Sequence, residues 1–181
     1  TTRALRRMDG HAARVSSLAW NSHIVSSGSR DATIVHHDVR VRDHAVGSCR
    51  GHVQEVCGLT WSSDGTMLAS GGNDNLVCIW SAANTGVRAQ DASRTLSDHS
   101  AAVKALAWSP HDRNLLATGA GTADRTIKLW NAQLGSALSS TDTGSQVCAL
   151  AWNPHEKELL SGHGYADNQL LVSVDGKPVF E

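Results

Sequence analysis

Aspartate, histidine and a serine or threonine recur together along the chain, and these three residue types form a catalytic triad when they are suitably aligned. The set occurs three times at matching offsets, as His11, Ser27 and Asp31, as His52, Ser70 and Asp74, and as His99, Thr118 and Asp124. A hydrolase needs one such set, whereas equivalent copies indicate a role that every repeat of a structure requires. We therefore interpret the sets as structural, and we predict that the chain is not an enzyme.

Each set lies inside a longer pattern that returns four times. The pattern begins with Gly-His or its remnant and a Val, and continues through an apolar segment ending in Trp, a Ser-Gly or Thr-Gly, an Asp and a segment ending in an aromatic ring. The Trp residues that end the first segment are 41, 47 and 44 residues apart, and they are Trp20, Trp61, Trp108 and Trp152. This period, with short β-rich segments between turn residues, is typical of WD repeats, each of which folds as four antiparallel strands.

The repeats predict an all-β fold, a partial WD-repeat β-propeller of about four blades. We expect a single domain over residues 1–181, with repeats at approximately 9–49, 50–97, 98–141 and 142–175. The polar stretch 81–97 is longer than its counterparts and predicts an extended surface loop. If these four repeats are part of a wider propeller, they leave two open strand edges. The alternative is a closed four-bladed ring.

Within a WD repeat, the Asp, the His, the hydroxyl and the terminal Trp form one hydrogen-bonded chain that fixes the register of the strands. The predicted structural network comprises His11, Ser27, Asp31, His52, Ser70, Asp74, Trp80, His99, Thr118, Asp124 and Trp130. Two repeats depart from the pattern. In the first, His37 replaces the terminal Trp; in the fourth, Thr143 replaces the His and Ser173 replaces the Trp. We expect the fourth network to be incomplete and its blade to be the least rigid.

Composition argues against several other classes of function. The 16 basic and 17 acidic residues give no positive surface for a phosphate backbone, so we predict no nucleic-acid partner. No apolar run approaches the roughly 20 residues that cross a bilayer, so we predict no membrane contact and an intracellular chain. His36 and His37 are adjacent on a predicted strand and face opposite ways, which disfavours a shared metal ion. His163 has no evident partner in the sequence. We predict neither a metal nor a cofactor.

Several less general stretches narrow the family. In chain order they are residues 26–30 and 36–40, the segment 51–59, Gly-Gly-Asn-Asp-Asn within 70–75, residues 119–125 and 145–148, and Ser-Gly-His-Gly within 158–164. Taken in this order and at these separations, they resemble the Fizzy and Fizzy-related activators of the anaphase-promoting ubiquitin ligase, a cell-cycle enzyme. The resemblance covers residues 5–172 nearly continuously, from the family's second repeat to its fifth, and lapses after Val172.

The resemblance implies a seven-bladed propeller, of which this chain holds about four blades, and a role as a substrate-recognition adaptor in mitosis and cell division. It implies three kinds of partner, namely subunits of the anaphase-promoting complex, degron-bearing substrates such as cyclins, and spindle-checkpoint proteins. The implied location is the nucleus and cytoplasm. The positions that match the family's site for the Lys-Glu-Asn (KEN) degron are Asn73, Asn75, Thr122 and Gln146. From the residues alone, Asn73 and Asn75 are better interpreted as stabilising the turn around Asp74.

Other parts of the family's apparatus fall outside this sequence. The groove for the destruction box lies between the first and last blades, and the Arg that completes the KEN pocket comes from a later repeat. The N-terminal docking motif and the C-terminal Ile-Arg tail do not occur here either. Two alternatives therefore stay open, a generic WD-repeat scaffold with unrelated partners and a truncated product without an independent function.

Overall fold

Four antiparallel sheets of four strands each form the molecule, which a computed structural model describes for residues 5–164, 167–174 and 177–178. Each sheet is called a blade below. Blade 1 contains β1 (Val15–Asn21), β2 (Ile24–Ser29), β3 (Thr33–Asp38) and β4 (Ala45–Arg50). Blade 2 contains β5 (Val56–Trp61), β6 (Met67–Gly72), β7 (Val77–Ser81) and β8 (Arg94–Leu96). Blade 3 contains β9 (Val103–Trp108), β10 (Leu115–Ala120), β11 (Thr126–Asn131) and β12 (Ser136–Asp142). Blade 4 contains β13 (Gln146–Trp152), β14 (Glu158–Gly164), β15 (Leu170–Val174) and β16 (Lys177–Pro178).

The middle strands of blade 2, β6 and β7, are buried on both faces. In β6, Met-Leu-Ala-Ser-Gly-Gly, every residue after Met67 is buried, and β7 is buried as far as Trp80. A strand with sheets packed on both sides has no solvent face, so its sequence reads as a continuous run of apolar and small residues rather than as an alternation. The first strand, β1, instead alternates between exposed and half-buried residues.

The hydrophobic core is divided among the junctions between successive blades. The blades pack in chain order, β1 against β5, β5 against β9 and β9 against β13. The first junction buries Ile34 and Cys49 with Val56, Leu68, Cys78 and Trp80. The second junction includes Val77, Ile79, Val103, Trp108, Leu116 and Trp130. The third includes Ala105, Ala117, Ile127, Leu129, Val147 and Leu159.

The Trp that ends the first strand of a blade reaches back to the preceding blade. Each of these Trp residues donates its indole Nε1–H at 3.1 Å. Trp61 donates to the Ser26 hydroxyl, Trp108 to the Thr60 carbonyl and Trp152 to the Ala107 carbonyl. The equivalent Trp20 of blade 1 is 63% exposed. The regular Trp spacing in the sequence is therefore the spacing of the blade junctions, and the predicted all-β partial propeller is confirmed.

The prediction of one extended surface loop over residues 81–97 is partly wrong. The stretch contains a short 3-10 helix (Ala82–Asn84) and the strand β8, and its middle pairs with blade 1. Gln90 accepts a hydrogen bond from the N–H of Arg50 at 3.0 Å and donates its own N–H to the Ser48 carbonyl at 2.8 Å. The open edge of β4 offers unpaired backbone groups, and this segment satisfies some of them.

A close approach at Gly47 accompanies this pairing. A Cβ at Gly47 would lie 1.9 Å from the Thr85 carbonyl oxygen, so only glycine fits there. The only helix among the described residues is this three-residue 3-10 turn, far too short to span a membrane.

Candidate functional site

The polar network of blade 2 runs from a turn to the core. The Asp74 carboxylate lies 3.0 Å from Nδ1 of His52, whose Nε2 lies 2.8 Å from the Ser70 hydroxyl, and the Trp80 indole N–H donates to that hydroxyl at 2.8 Å. Because a carboxylate only accepts, Nδ1 of His52 carries the proton, and Nε2 accepts the proton of Ser70. Each hydrogen bond therefore has the same direction, from the Trp80 indole to Ser70, from Ser70 to His52 and from His52 to Asp74.

Blade 3 repeats this arrangement with threonine in place of serine. His99 lies 3.1 Å from the Asp124 carboxylate and 2.7 Å from the Thr118 hydroxyl, which accepts the Trp130 indole N–H at 2.8 Å. Asp124 also accepts the backbone N–H groups of Ser100 at 2.6 Å and Thr126 at 2.9 Å. The aspartate therefore joins the loop that carries the histidine to the turn between the second and third strands.

Backbone hydrogen bonds also set the ionisation of these carboxylates. Burial alone would raise the pKa of the Asp74 carboxyl, but the N–H of Val53 and the ring of His52 outweigh burial and lower that pKa. Burial likewise opposes the hydrogen bonds of Thr33 and Ala12 to Asp31, which lower its pKa to about 2. The aspartates are ionised at neutral pH and hold the histidines in one tautomer.

The sets have the hydrogen-bond order of a catalytic triad, yet the geometry opposes nucleophilic attack. Ser70 and Thr118 are 0% exposed, and each hydroxyl oxygen already accepts an indole N–H at 2.8 Å. A nucleophile requires a carbonyl carbon within about 3–3.5 Å. The hydroxyls of Ser70 and Thr118 are fully buried and already paired, so their hydrogen bonds serve to connect strands.

Blade 1 builds its network with imidazole in place of indole. His11 lies 3.1 Å from Asp31 and 2.8 Å from the Ser27 hydroxyl, and Ser27 lies 3.2 Å from Nε2 of His37. Nδ1 of His37 lies 2.9 Å from Nδ1 of His44. Since Ser27 donates to His11, His37 must donate to Ser27 through Nε2–H, which leaves its Nδ1 to accept from His44. His44 has no counterpart in the sequence pattern and was not predicted.

The fourth network is rebuilt from a different position. Thr143 and Ser173 occupy the places of the His and the Trp, but His163 of β14 lies 2.8 Å from the Ser161 hydroxyl and 3.0 Å from that of Ser145. The sequence showed no evident partner for His163, and the structure pairs it with these two hydroxyls. Residues i and i+2 of a strand share a face, so the spacing of Ser161 and His163 could have indicated the pairing.

A further network between blades 1 and 2 was missed by the sequence analysis. The Ser26 hydroxyl, which accepts the Trp61 indole N–H, lies 2.8 Å from Nδ1 of His36, and Nε2 of His36 lies 3.2 Å from the Cys49 thiol. His36 and His37 thus bond to separate partners on opposite faces of β3. Among the described residues, no group of three or more His, Cys, Asp or Glu side chains could hold a metal ion.

Asn73 and Asn75 flank Asp74 in the turn between β6 and β7. The Asn73 N–H donates to the Glu55 carbonyl at 2.9 Å, and the Asn75 N–H donates to the Gly72 carbonyl at 3.2 Å. Asn75 has a φ of 66°, in the left-handed region that asparagine tolerates better than most residues. Neither side-chain amide makes a hydrogen bond within the described part of the chain, so both amides are available to a ligand.

The residue after the turn aspartate is left-handed in every blade. The φ angles are 65°, 66°, 61° and 47°, for Ala32, Asn75, Arg125 and Asn168 respectively. Because the same backbone conformation recurs in all four blades, it is a property of the WD-repeat turn and not of one residue type. The backbone of Asn75 therefore serves the turn, while its amide is not needed by the turn, because alanine and arginine occupy the same position in other blades.

Thr122 and Gln146 meet across the junction between blades 3 and 4. The Thr122 hydroxyl donates to the Gln146 side-chain oxygen at 3.4 Å. Thr122 follows β10 and Gln146 begins β13, so both lie at the same end of the blades as the turn that carries Asn75. The structure joins these two predicted residues by a hydrogen bond, and no direct hydrogen bond among the described residues links them to Asn73 or Asn75.

Four-stranded blades, junction tryptophans and Asp-His-hydroxyl networks together define a WD-repeat β-propeller protein. The chain belongs to the CDC20/Fizzy family, since the family model described as the CDC20/Fizzy WD40 domain matches residues 1–175.

Named relatives agree with this assignment. The chain is 53% identical to "Anaphase-promoting complex subunit cdc20" of Dictyostelium discoideum, over 94% of this chain and 34% of the relative. It is 55% identical to "Cell division cycle 20.1, cofactor of APC complex" of Arabidopsis thaliana, over 94% and 38%, and 51% identical to "Protein FIZZY-RELATED 3" of the same plant, over 93% and 34%. The chain thus spans about a third of the length of these relatives.

Solved structures share the fold. A chain of the crystal structure of the mitotic checkpoint complex superposes with a TM-score of 0.88 at 53% identity, covering 93% of this chain and 50% of that one. The computationally designed Ika4 protein gives a TM-score of 0.79 at 29% identity, covering 96% of this chain and 99% of that one.

Proposed function

We propose that this chain is the degron-binding part of a substrate-recognition adaptor that activates the anaphase-promoting ubiquitin ligase. The observation that carries the proposal is its membership of the CDC20/Fizzy family, two of whose members are named as a subunit or a cofactor of that complex. The partners proposed for the whole protein are subunits of the complex, degron-bearing substrates such as cyclins, and spindle-checkpoint proteins. A solved mitotic checkpoint complex containing a similar chain supports the last of these. The proposed location is the nucleus and cytoplasm.

The proposed site for a KEN degron is formed by Asn73, Asn75, Thr122 and Gln146. Lysine offers an ammonium donor, glutamate a carboxylate acceptor and asparagine an amide that does both. The amides of Asn73 and Asn75, which have no hydrogen-bond partner among the described residues, and the hydroxyl–amide pair of Thr122 and Gln146 match these needs without any net charge. Asn73, Asn75 and Thr122 lie in turns next to the buried networks, and Gln146 begins β13, so little ordering is required when a peptide binds.

The left-handed turn at Asn75 decides which substitution tests this site. Asn75→Ala would combine loss of the amide with an unfavourable backbone conformation, whereas Asn75→Gly removes the amide and retains a positive φ. The matched control is Asn168→Gly, the same change at the equivalent turn of blade 4. Of these two glycine variants, only Asn75→Gly changes a residue of the proposed peptide site.

The measurement is fluorescence anisotropy with a labelled peptide that contains Lys-Glu-Asn and a second peptide with Ala at those three places. We expect Asn75→Gly to weaken binding of the first peptide about tenfold, the effect of losing one hydrogen bond to a charged or polar group. Asn168→Gly should bind like the unaltered chain. Equal affinity for the two peptides, or equal affinity of Asn75→Gly and Asn168→Gly, would refute the site.

A generic WD-repeat scaffold is the second candidate function. It predicts that partners contact the outer strands β4, β8 and β12 instead of the turns. Binding that is insensitive to Asn75→Gly and Gln146→Ala but is lost on changing exposed residues of those strands would favour it.

A further inference from the structure

A cleft of about 600 Å³ opens between blades 3 and 4, at the end of the blades opposite to Thr122 and Gln146. The loop 109–114 connects the end of β9 to the start of β10, and the loop 153–157 follows the end of β13, so both lie away from the proposed degron site. The side chains that matter for its chemistry are Arg113, Leu115, Leu129, Leu138, Trp152 and Lys157. A volume of this size is typical of sites that enclose a small ligand or a peptide side chain.

The floor of the cleft is apolar and its walls are fixed. Leu129 is buried, Leu115 and Trp152 are half-buried, and Leu138 on the outer strand β12 is 60% exposed. The Trp152 indole is held by its hydrogen bond to the Ala107 carbonyl at 3.1 Å. A leucine as exposed as Leu138 beside a tryptophan gains free energy when an apolar group covers it.

One histidine joins the two loops that form the cleft. Nε2 of His111 lies 3.0 Å from the carbonyl oxygen of Asn153 and 2.9 Å from that of Glu156. Since both partners are acceptors, Nε2 carries the proton and donates to them. The loops are therefore held together before any ligand arrives, which lowers the cost of ordering on binding.

The rim of the cleft carries two cations without close partners. Arg113 and Lys157 are exposed, and neither makes a hydrogen bond or an ion pair with another described residue; Arg113 has only a longer-range interaction with Asp64. The one carboxylate that lines the cleft, Asp112, accepts the N–H of Asn114 at 2.9 Å. An apolar floor with unpaired cations at its rim is complementary to an apolar side chain flanked by carboxylates.

We propose that this cleft binds an extended segment of a partner protein in which a leucine or aromatic residue is flanked by acidic residues. The apolar side chain covers Leu138 and Trp152, and the flanking carboxylates pair with Arg113 and Lys157. The cleft is independent of the turns that carry Asn75, so one molecule can hold a segment here and a degron at the other end of its blades.

The probe is the peptide acetyl-Asp-Glu-Leu-Phe-Asp-amide, followed by its effect on the NMR signal of the Trp152 indole N–H in the complete chain. Two matched peptides serve as controls, one with Lys at the three acidic places and one with Ala in place of Leu-Phe. We expect the acidic peptide to shift the Trp152 signal in a saturable way and both controls to bind at least about fivefold more weakly.

Three variants locate the site. Arg113→Ala with Lys157→Ala should weaken the acidic peptide about fivefold, because each exposed ion pair contributes modestly. Leu138→Glu, on an edge strand, should abolish binding by repulsion. Arg50→Ala with Arg88→Ala removes the same charge from exposed positions elsewhere and should leave binding unchanged.

Four results would overturn the proposal. They are no saturable shift of the Trp152 signal, equal shifts with the acidic and basic peptides, equal losses in the two double variants, and a shift that depends on protein concentration without peptide. The last would mean that a second copy of the chain occupies the cleft.

Discussion

Nε2 of His163 lies 2.8 Å from the hydroxyl of Ser161, two residues earlier on the same strand, and this pair restores in blade 4 the contact that a loop histidine makes in the other blades. The other ring nitrogen faces the Ser145 hydroxyl at 3.0 Å. Ser145 immediately precedes Gln146, so the network of blade 4 supports the start of β13 at the proposed degron site. A histidine can thus reach the same buried hydroxyl from two different places in a WD repeat.

Removing His163 should destabilise the fourth blade. In His163→Ala, the hydroxyls of Ser145 and Ser161 lose their shared partner in a buried place, and we expect a loss of about 2 kcal/mol in the free energy of unfolding. Urea unfolding measures the total, and hydrogen exchange should place the change in β13 and β14. His155→Ala, at an exposed position, is the control; an equal effect of the two substitutions would contradict a structural role for His163.

Ser70 should be one of the most sensitive positions in blade 2. Ser70→Ala leaves the Trp80 indole N–H and Nε2 of His52 without their partner, so we expect at least about 2 kcal/mol of destabilisation in urea unfolding. Ser70→Thr keeps the hydroxyl, as Thr118 does in blade 3, and should cost less than Ser70→Ala. Ser63→Ala at an exposed position should be nearly neutral, and a similar loss there would show that the network adds nothing.

Stability should fall in mild acid because of His36 and His37. Burial lowers the pKa of each from 6.5 to about 4, with a smaller contribution from neighbouring histidines. Since the unfolded chain binds these protons first, their contribution is fully present above pH 6.5 and is lost as the pH falls from 6.5 to about 4. Each histidine contributes a slope of up to about 1.4 kcal/mol per pH unit.

The slope of the unfolding free energy against pH tests this assignment. His37→Gln should reduce the slope between pH 6.5 and 4, whereas Ser63→Ala, which removes no titratable group and lies at an exposed position, should leave it unchanged. The Asp31 carboxyl, whose pKa is lowered from 3.8 to about 2, adds its own loss only below that window. An unchanged slope in His37→Gln would mean that this ring is not held neutral by the fold.

Periodicity revealed much of the architecture. The Trp spacing predicted four blades because each Trp marks a junction, and the offsets of Asp, His and hydroxyl predicted groups that lie together in the structure. Periodicity missed the contacts that form between repeats, and it missed a histidine that occupies a different position within its repeat. His36 reaches Ser26 and Cys49 in its own blade, but the indole that completes this set comes from Trp61 in the next blade. His163 was overlooked because comparison of repeats looks for a histidine where Thr143 stands.

The candidate site was less predictable than the fold. The positions of Asn75 and Gln146 came from a family resemblance, and nothing in the residues alone separates a ligand-binding amide from a turn residue. In the structure, the left-handed backbone of Asn75 serves the turn, and its amide makes no hydrogen bond with any described residue. Ligand binding by this amide stays a prediction.

The most direct test of the proposed recognition surface is an NMR titration that follows the side-chain amide groups of Asn73, Asn75 and Gln146. A peptide that contains Lys-Glu-Asn should shift these signals in a saturable way, while the buried Trp80 and Trp130 indole N–H signals stay in place because their networks are already formed. Shifts confined to the outer strands, or the same shifts with the Ala-substituted peptide, would contradict the account.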